Sequence, residues 1–372
     1  MLSLGRKRKN DAKEKVWLDG PKGNQRSTAE GEVKVNRSQW YCLVVLLLLT
    51  GCRMDFSTVE YTIPVLERSS ETFSFDDFFR KPRRVNVSFD DEFPVAGTIS
   101  DVVFTGRYAF LLDGNRRLSK IDLRKRRVVD QRQFKRSQVV LSYYDKHLYV
   151  LGVDENCNIY EYDMNLNLTD SIYVRNMNAS SFCRFKDGFI FLNRRETGNR
   201  GKYVVTNRSL TKGVSFVKVE GRQYKRYDNR LILSSEVFMR RPFGKVLCFD
   251  IENNDGYRYD GEQLRRIFHV GTDIHDPALS PLNNLRLIFA SKGNCLFNYY
   301  HDDGIDGMAF FDKNHNLVGQ GPSYDATVDG LFKYKYRQVG KKLVRIHMVV
   351  PERRGTYPYK ASQAQFEFFR AK

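Results

Sequence analysis

Residues 101–122 read Asp101-Val-Val-Phe-Thr-Gly-Arg-Tyr-Ala-Phe-Leu-Leu-Asp-Gly-Asn-Arg-Arg-Leu-Ser-Lys-Ile-Asp122. The apolar runs at 101–104, 108–112 and 118–122 are too short for helices and have the length of strands. Gly106-Arg107 is turn-forming, so the first two runs read as a hairpin. A loop then leads to the third strand. That strand ends on an apolar residue and Asp122, whose carboxylate can cap the next turn.

The same order recurs along the chain. The second unit runs through 139–144, a turn at Asp145-Lys146, 148–151 and 159–163. The third has 182–185, Asp187-Gly188, 189–191 and 202–206; the fourth has Asp228-Asn229, 231–233 and 246–250; the fifth has 287–289, Lys292-Gly293, 295–297 and 308–312. Third strands are read to end at Asp122, Asp163, Asn207, Asp250 and Asp312, at spacings of 41, 44, 43 and 62 residues. The last spacing implies an insertion of roughly 20 residues, holding Pro277 and Pro281. This period and strand count are those of a propeller blade.

A sixth unit has strands at 332–337, 343–350 and 365–370 and is one strand short. The strand-like Arg84-Val85-Asn86-Val87-Ser88 can supply the missing one, closing the ring and removing exposed edges. The expected fold is therefore all-β, a six-bladed β-propeller over residues 81–372, its last blade completed by an N-terminal strand.

Residues 41–49 form an apolar run, Tyr-Cys-Leu-Val-Val-Leu-Leu-Leu-Leu, too short to span a bilayer but suited to the core of a signal peptide. It ends in Leu49-Thr50-Gly51-Cys52, which resembles the lipobox of bacterial lipoproteins; there the cysteine is acylated and becomes the new N-terminus. The polar, lysine-rich segment ahead of it is much longer than an ordinary signal start. Translation is thus expected to begin downstream, at Val33 or Val35. Residues 1–51 read as leader and signal peptide, and 52–80 as a linker from the lipid anchor. A single acidic residue, Asp55, follows Cys52 closely, so the periplasmic face of the outer membrane is the expected location.

The Leu-Thr-Gly-Cys signal, the Phe-Asp strand ends, and the segment from Gly321-Pro322-Ser323-Tyr324-Asp325 through Val328-Asp329-Gly330 together resemble the six-bladed β-propeller lipoproteins of Bacteroidota. The resemblance covers about residues 52–372. It implies fold and location, and no activity.

Composition narrows the partner class. The 372 residues hold 62 Lys and Arg against 44 Asp and Glu, with 41% hydrophobic and 13% aromatic residues, ample for a core. Such a basic excess either sits in solvated turns or favours an anionic partner. An export signal argues against nucleic acid and leaves an anionic glycan, peptide or envelope protein, besides the membrane reached through Cys52. Arg116-Arg117, Arg194-Arg195, Arg240-Arg241 and Arg353-Arg354 are read into second-to-third strand loops of units one, three, four and six. They would form a basic ring at one end of the channel, their planar forks suited to carboxylate, sulfate or phosphate.

Signs of catalysis are few. The six histidines have no metal-ligand spacing, and the acidic turn His301-Asp302-Asp303-Gly304-Ile305-Asp306-Gly307 lacks the glutamate that would close a calcium loop. Adjacent carboxylates at Asp76-Asp77 and Asp90-Asp91 point to opposite faces of a strand. Candidates on first strands, Asp101, Tyr143, Tyr144, Arg184 and Tyr227, include no clear acid–base pair. No catalytic residue, cofactor or metal is assigned, and a binding or scaffold module is favoured over a polysaccharide lyase or hydrolase, or an envelope assembly subunit. Cys157, Cys183, Cys248 and Cys295 show no paired spacing and read as buried free thiols.

Overall fold

The computed structural model describes residues 58–64, 70–134, 139–152, 158–174, 179–193, 203–216, 238–240, 245–250, 254–272, 283–300, 306–323, 334–351 and 359–372. It is a six-bladed β-propeller, its blades being six antiparallel sheets. Counting strands outward from the axis, blade one holds Ile99–Phe104, Tyr108–Asp113, Arg117–Asp122 and Arg127–Gln133. Blade two holds Val139–Tyr144, His147–Gly152, Asn158–Tyr162 and Leu168–Tyr173. Blade three holds Ala179–Phe185, Gly188–Asn193, Tyr203–Asn207 and Gly213–Phe216. Blade five holds Asn283–Ser291, Asn294–Tyr300, Asp306–Phe311 and Leu317–Pro322.

Blade six is closed as the sequence implies. Lys335–Val339, Lys342–Val349 and Gln363–Ala371 are its first three strands, and Phe79–Ser88 adds antiparallel as the fourth, Val85 facing Phe366 across the ladder. Val85 and Val87 are buried, and their neighbours Arg84, Asn86 and Ser88 are exposed. This period of two fixes the register, since a slip of one residue would turn both valines to solvent.

Blade four departs from the sequence reading. Its strands are Phe238–Arg240, Val246–Asp250, Asp255–Tyr259 and Leu264–Thr272. The run ending in Asp250 is thus the second strand, not the third. The residue equivalent to Asp122 is Asp260, whose Oδ1 accepts the backbone N–H groups of Glu262 and Gln263. Asp122, Asp163 and Asp312 cap the same turn in the same way in blades one, two and five. With Asp260 in place the spacings become 41, 44, 53 and 52 residues, and the large insertion between units four and five disappears.

A second correction concerns residues 52–80. Val59–Ile63 is a fifth, outermost strand of blade four, parallel to Leu264–Thr272. Its Tyr61 ring packs 5.4 Å from Phe268, 5.7 Å from Phe297 and 4.7 Å from Phe311, between blades four and five. Farther on, the short helix Phe75–Phe78 brings Phe78 to 4.7 Å from Phe310 and Phe75 to 5.2 Å from Phe369, between blades five and six. Much of the expected linker is therefore a strap that belongs to the propeller. Its aromatic side chains carry it there, because burying them removes large apolar areas from water.

Candidate functional site

The innermost strands of all six blades surround a cavity of about 340 Å³ on the axis. Leu141, Phe182, Phe238, Leu287 and Ile288 make much of its wall apolar, while Thr105, Ser142, Tyr143, Arg337 and Gln338 supply polar atoms.

Polar side chains of these strands are used to join neighbouring blades. Asp101 is fully buried; its Oδ1 accepts Val102 N–H at 2.8 Å and its Oδ2 accepts Leu141 N–H, also at 2.8 Å, tying blade one to blade two. Ser142 Oγ accepts Arg184 N–H at 3.0 Å, tying blade two to blade three. Gln338 Oε1 accepts Ala290 N–H, and its Nε2 donates to Ala290 O, both at 2.8 Å, so one amide mimics a strand pair between blades five and six. The described innermost strands of neighbouring blades are not paired with one another through their backbones, and a side-chain amide, hydroxyl or carboxylate satisfies backbone groups across the gap.

The candidates read from first strands are likewise engaged. Arg184 donates through Nη1 to Gly188 O at 2.9 Å and lies over the rings of Tyr144, Tyr149 and Phe189. Tyr143 lines the cavity, and Tyr227 lies outside the described residues. Among the described residues no cluster of His, Cys, Asp or Glu could hold a metal ion. Of the acidic turn 301–307, residues 301–305 lie outside them, and Asp306 and Gly307 begin the third strand of blade five. Cys183, Cys248 and Cys295 are buried and form no disulfide, and burial pushes the Cys248 thiol well up.

The two ends of the ring differ. First-to-second and third-to-fourth turns emerge at one end, here the near end; second-to-third loops and blade-to-blade connections emerge at the far end. Near-end turns join strands through two to five residues, whereas far-end connections reach 21 residues, at 217–237. Asp145-Lys146 and Lys292-Gly293 have positive φ at both positions, the tight hairpin turn whose twist matches paired strands.

The arginine pairs are divided between these ends. Arg116 and Arg117 lie at the far end as expected, and Arg117 Nη1 donates to Pro94 O at 2.6 Å. Arg194-Arg195 and Arg353-Arg354 lie outside the described residues. Arg240 does not join Arg116 and Arg117, because it ends the first strand of blade four, at the near end; Arg241 lies outside the described residues. The misplacement follows from the strand shift at Asp250.

Buried carboxylates lie farther from the axis. Asp122 Oδ2 accepts Arg107 Nε at 2.9 Å and Nη2 at 2.6 Å. This pairing, with backbone bonds from Lys125 and Arg124, holds its carboxyl at about 2. Glu161 is paired with Arg208 at 3.2 Å and His147 at 2.5 Å, and Glu367 with Arg84 at 2.8 Å and Arg345 at 2.6 Å. Each holds a third strand to its surroundings and none faces the cavity.

No protein-family model matches the chain, and no curated protein matches it in sequence. Among solved structures it is similar to a protein of Bacteroides fragilis NCTC 9343 described, by inference, as exported. The two are 11% identical, over 85% of this chain and 100% of that one, with a TM-score of 0.63. A member of the DUF4221 family from Bacteroides vulgatus aligns at 5% identity over 79% of this chain and 98% of that one, with a TM-score of 0.48. At such identity the first likeness is one of fold alone, and the fold is the propeller derived above.

Proposed function

We propose that this chain is an exported propeller of the bacterial cell envelope, anchored by a lipid on Cys52 at the periplasmic side of the outer membrane, and that it binds rather than transforms its ligand. The observation that carries the location is Leu49-Thr50-Gly51-Cys52 directly after an apolar run of signal length. The description of the Bacteroides fragilis neighbour as exported supports it. The binding role rests on the axis, where Asp101, Ser142 and Gln338 are spent on holding blades together. Ligand recognition then falls to the far end, where the long connections emerge. Long surface loops on a rigid scaffold commonly carry function. Arg116, Arg117, Arg194, Arg195, Arg353 and Arg354 make an anionic glycan, peptide or protein segment the ligand class that suits it.

Affinity capture from native membranes, comparing wild type with Cys52→Ser, tests this reading. Wild type in the membrane fraction and Cys52→Ser in the soluble fraction is the expected result. A protein captured in near-equal amount by wild type alone identifies an envelope complex. If both forms fractionate as soluble, the anchor is wrong. Reversing Arg194, Arg195, Arg353 and Arg354 to Glu is expected to abolish binding of acidic glycans or peptides; unchanged binding removes the far end as the site.

A further inference from the structure

We propose that the axial cavity is a second binding site, one that takes a small amphipathic carboxylate. Its head meets Arg337, and its apolar body lies against Leu141, Phe182, Phe238, Leu287 and Ile288. The site goes beyond the reading above and uses neither Cys52 nor the far-end arginines.

Arg337 is the one charged side chain among the described residues that line the cavity. It lies half-buried in Lys335–Val339, the first strand of blade six. Among the described residues its guanidinium has no ion pair, hydrogen bond or ring contact. Other polar groups on the wall are engaged. Gln338 uses its amide on Ala290 and Gly340, and the Thr105 hydroxyl is bonded to Tyr108. Ser142 accepts Arg184 N–H. Asp101 does not line the cavity, and its two oxygens accept backbone N–H groups. Those side chains hold neighbouring blades or turns together, whereas Arg337 holds nothing. A half-buried cation beside apolar side chains is costly to keep unless an anion meets it.

The wall selects the kind of anion. A guanidinium fork offers two parallel donors to one carboxylate. One positive charge balances a monoanion; a phosphate dianion or a uronate chain would bring further charge into the cavity with no partner. An uncharged sugar needs many donors and acceptors, and those of Thr105 and Gln338 are already bonded. The apolar side chains come from blades two to five, and Arg337 stands on blade six, so an occupant with one charged end and one apolar end matches both. The volume of about 340 Å³ lies at the low end of the range that holds small ligands, about 300–1,000 Å³. Access is from the near end. The lining reaches Gly106 and Gly340 in near-end turns, and a Cβ added at either would meet nothing within 4 Å.

The test is calorimetric titration of the full-length chain at neutral pH with butyrate, hexanoate, octanoate and decanoate, and with octanol. One octanoate per chain is expected. Affinity should rise about fourfold for each added methylene, then level off once the chain fills the cavity. Octanoate should bind wild type at least about tenfold more tightly than octanol does, as for a hydrogen bond to a charged group. Arg337→Gln should weaken octanoate by about 10- to 100-fold and leave octanol unchanged, and Arg337→Lys should fall between. Thermal melting of Arg337→Gln should match wild type, because the guanidinium has no partner to lose. No saturable octanoate binding overturns the proposal, and so does equal affinity of wild type for octanoate and octanol, a comparison that needs no variant. Equal losses of both ligands in Arg337→Gln, or affinity that climbs with chain length without levelling, also overturns it. Tighter binding of octyl phosphate than of octanoate overturns the carboxylate assignment. Reversing Arg194, Arg195, Arg353 and Arg354 to Glu should leave octanoate binding unchanged; its loss there would move the site to the far end and refute the axial one, while the far-end reading stands or falls on its own acidic ligands.

Discussion

Asp122 shows how much one side chain does in a blade: it accepts two backbone N–H groups of its turn and the fork of Arg107. Its carboxyl sits at about 2 in the folded protein, below the ordinary 3.8. A depressed carboxyl stabilises the fold above its unfolded value, and that contribution is lost as pH falls from about 4 toward 2. Asp122→Asn should therefore melt below wild type at pH 7, with the difference closing toward pH 2; a difference independent of pH would mean the charge is immaterial. Gln338 does comparable work near the axis. Gln338→Ala removes both bonds to Ala290 and is expected to cost about 1–3 kcal/mol in urea unfolding. Asp122 was legible in the sequence, because an apolar residue followed by Asp recurs at strand ends. Gln338 was not, since its partner lies 48 residues away on another blade.

At the scale of elements, the hairpin of blade one and the closing strand were both readable from alternation and turn residues. Two elements were not. Val246-Leu247-Cys248-Phe249-Asp250 carries the apolar-then-Asp ending of a third strand, yet it is a second strand. What distinguishes Asp260 is the tight Asp260-Gly261-Glu262-Gln263 turn, whose N–H groups face the carboxylate. The fifth strand of blade four is a five-residue segment, Val-Glu-Tyr-Thr-Ile, that says nothing of which edge it will join. Docking of this strap is directly testable. Tyr61→Ala should cost about 3–5 kcal/mol, as expected for deleting a buried aromatic, whereas a free linker would tolerate it with no measurable change. Val87→Asp places an unpaired carboxylate in the closing strand and should prevent cooperative unfolding or lower stability beyond about 3 kcal/mol.

For the molecule as a whole, closure sets stability. The third strand of blade six, Gln363–Ala371, would be a bare edge without Phe79–Ser88. A chain beginning at Phe93 is expected to elute as higher oligomers in size-exclusion chromatography, because an unpaired strand edge templates association. A monodisperse monomer from that truncation would show that closure is dispensable. Closure also brings the start of the closing strand beside Lys372 at the near end, where Lys372 N–H bonds to Phe78 O at 3.0 Å. The strap that follows the proposed anchor is thus wound into the ring across blades four to six.

The amino-acid order alone determined the repeat, the strand class, the number of blades and the closing strand, because these depend on period-two burial and on turn residues local to each strand. The proposed signal and the proposed anchor at Cys52 were also read from a linear segment, Leu49-Thr50-Gly51-Cys52 after an apolar run. Only the tertiary structure decided which Asp caps blade four, where the strap docks, which polar side chains bridge blades, and which basic residues share an end. Those outcomes depend on neighbours brought together from distant parts of the chain, and on the direction in which each strand runs through its sheet. A basic residue in a turn looks alike at either end of a blade; the strand count from the axis is what assigns it to one.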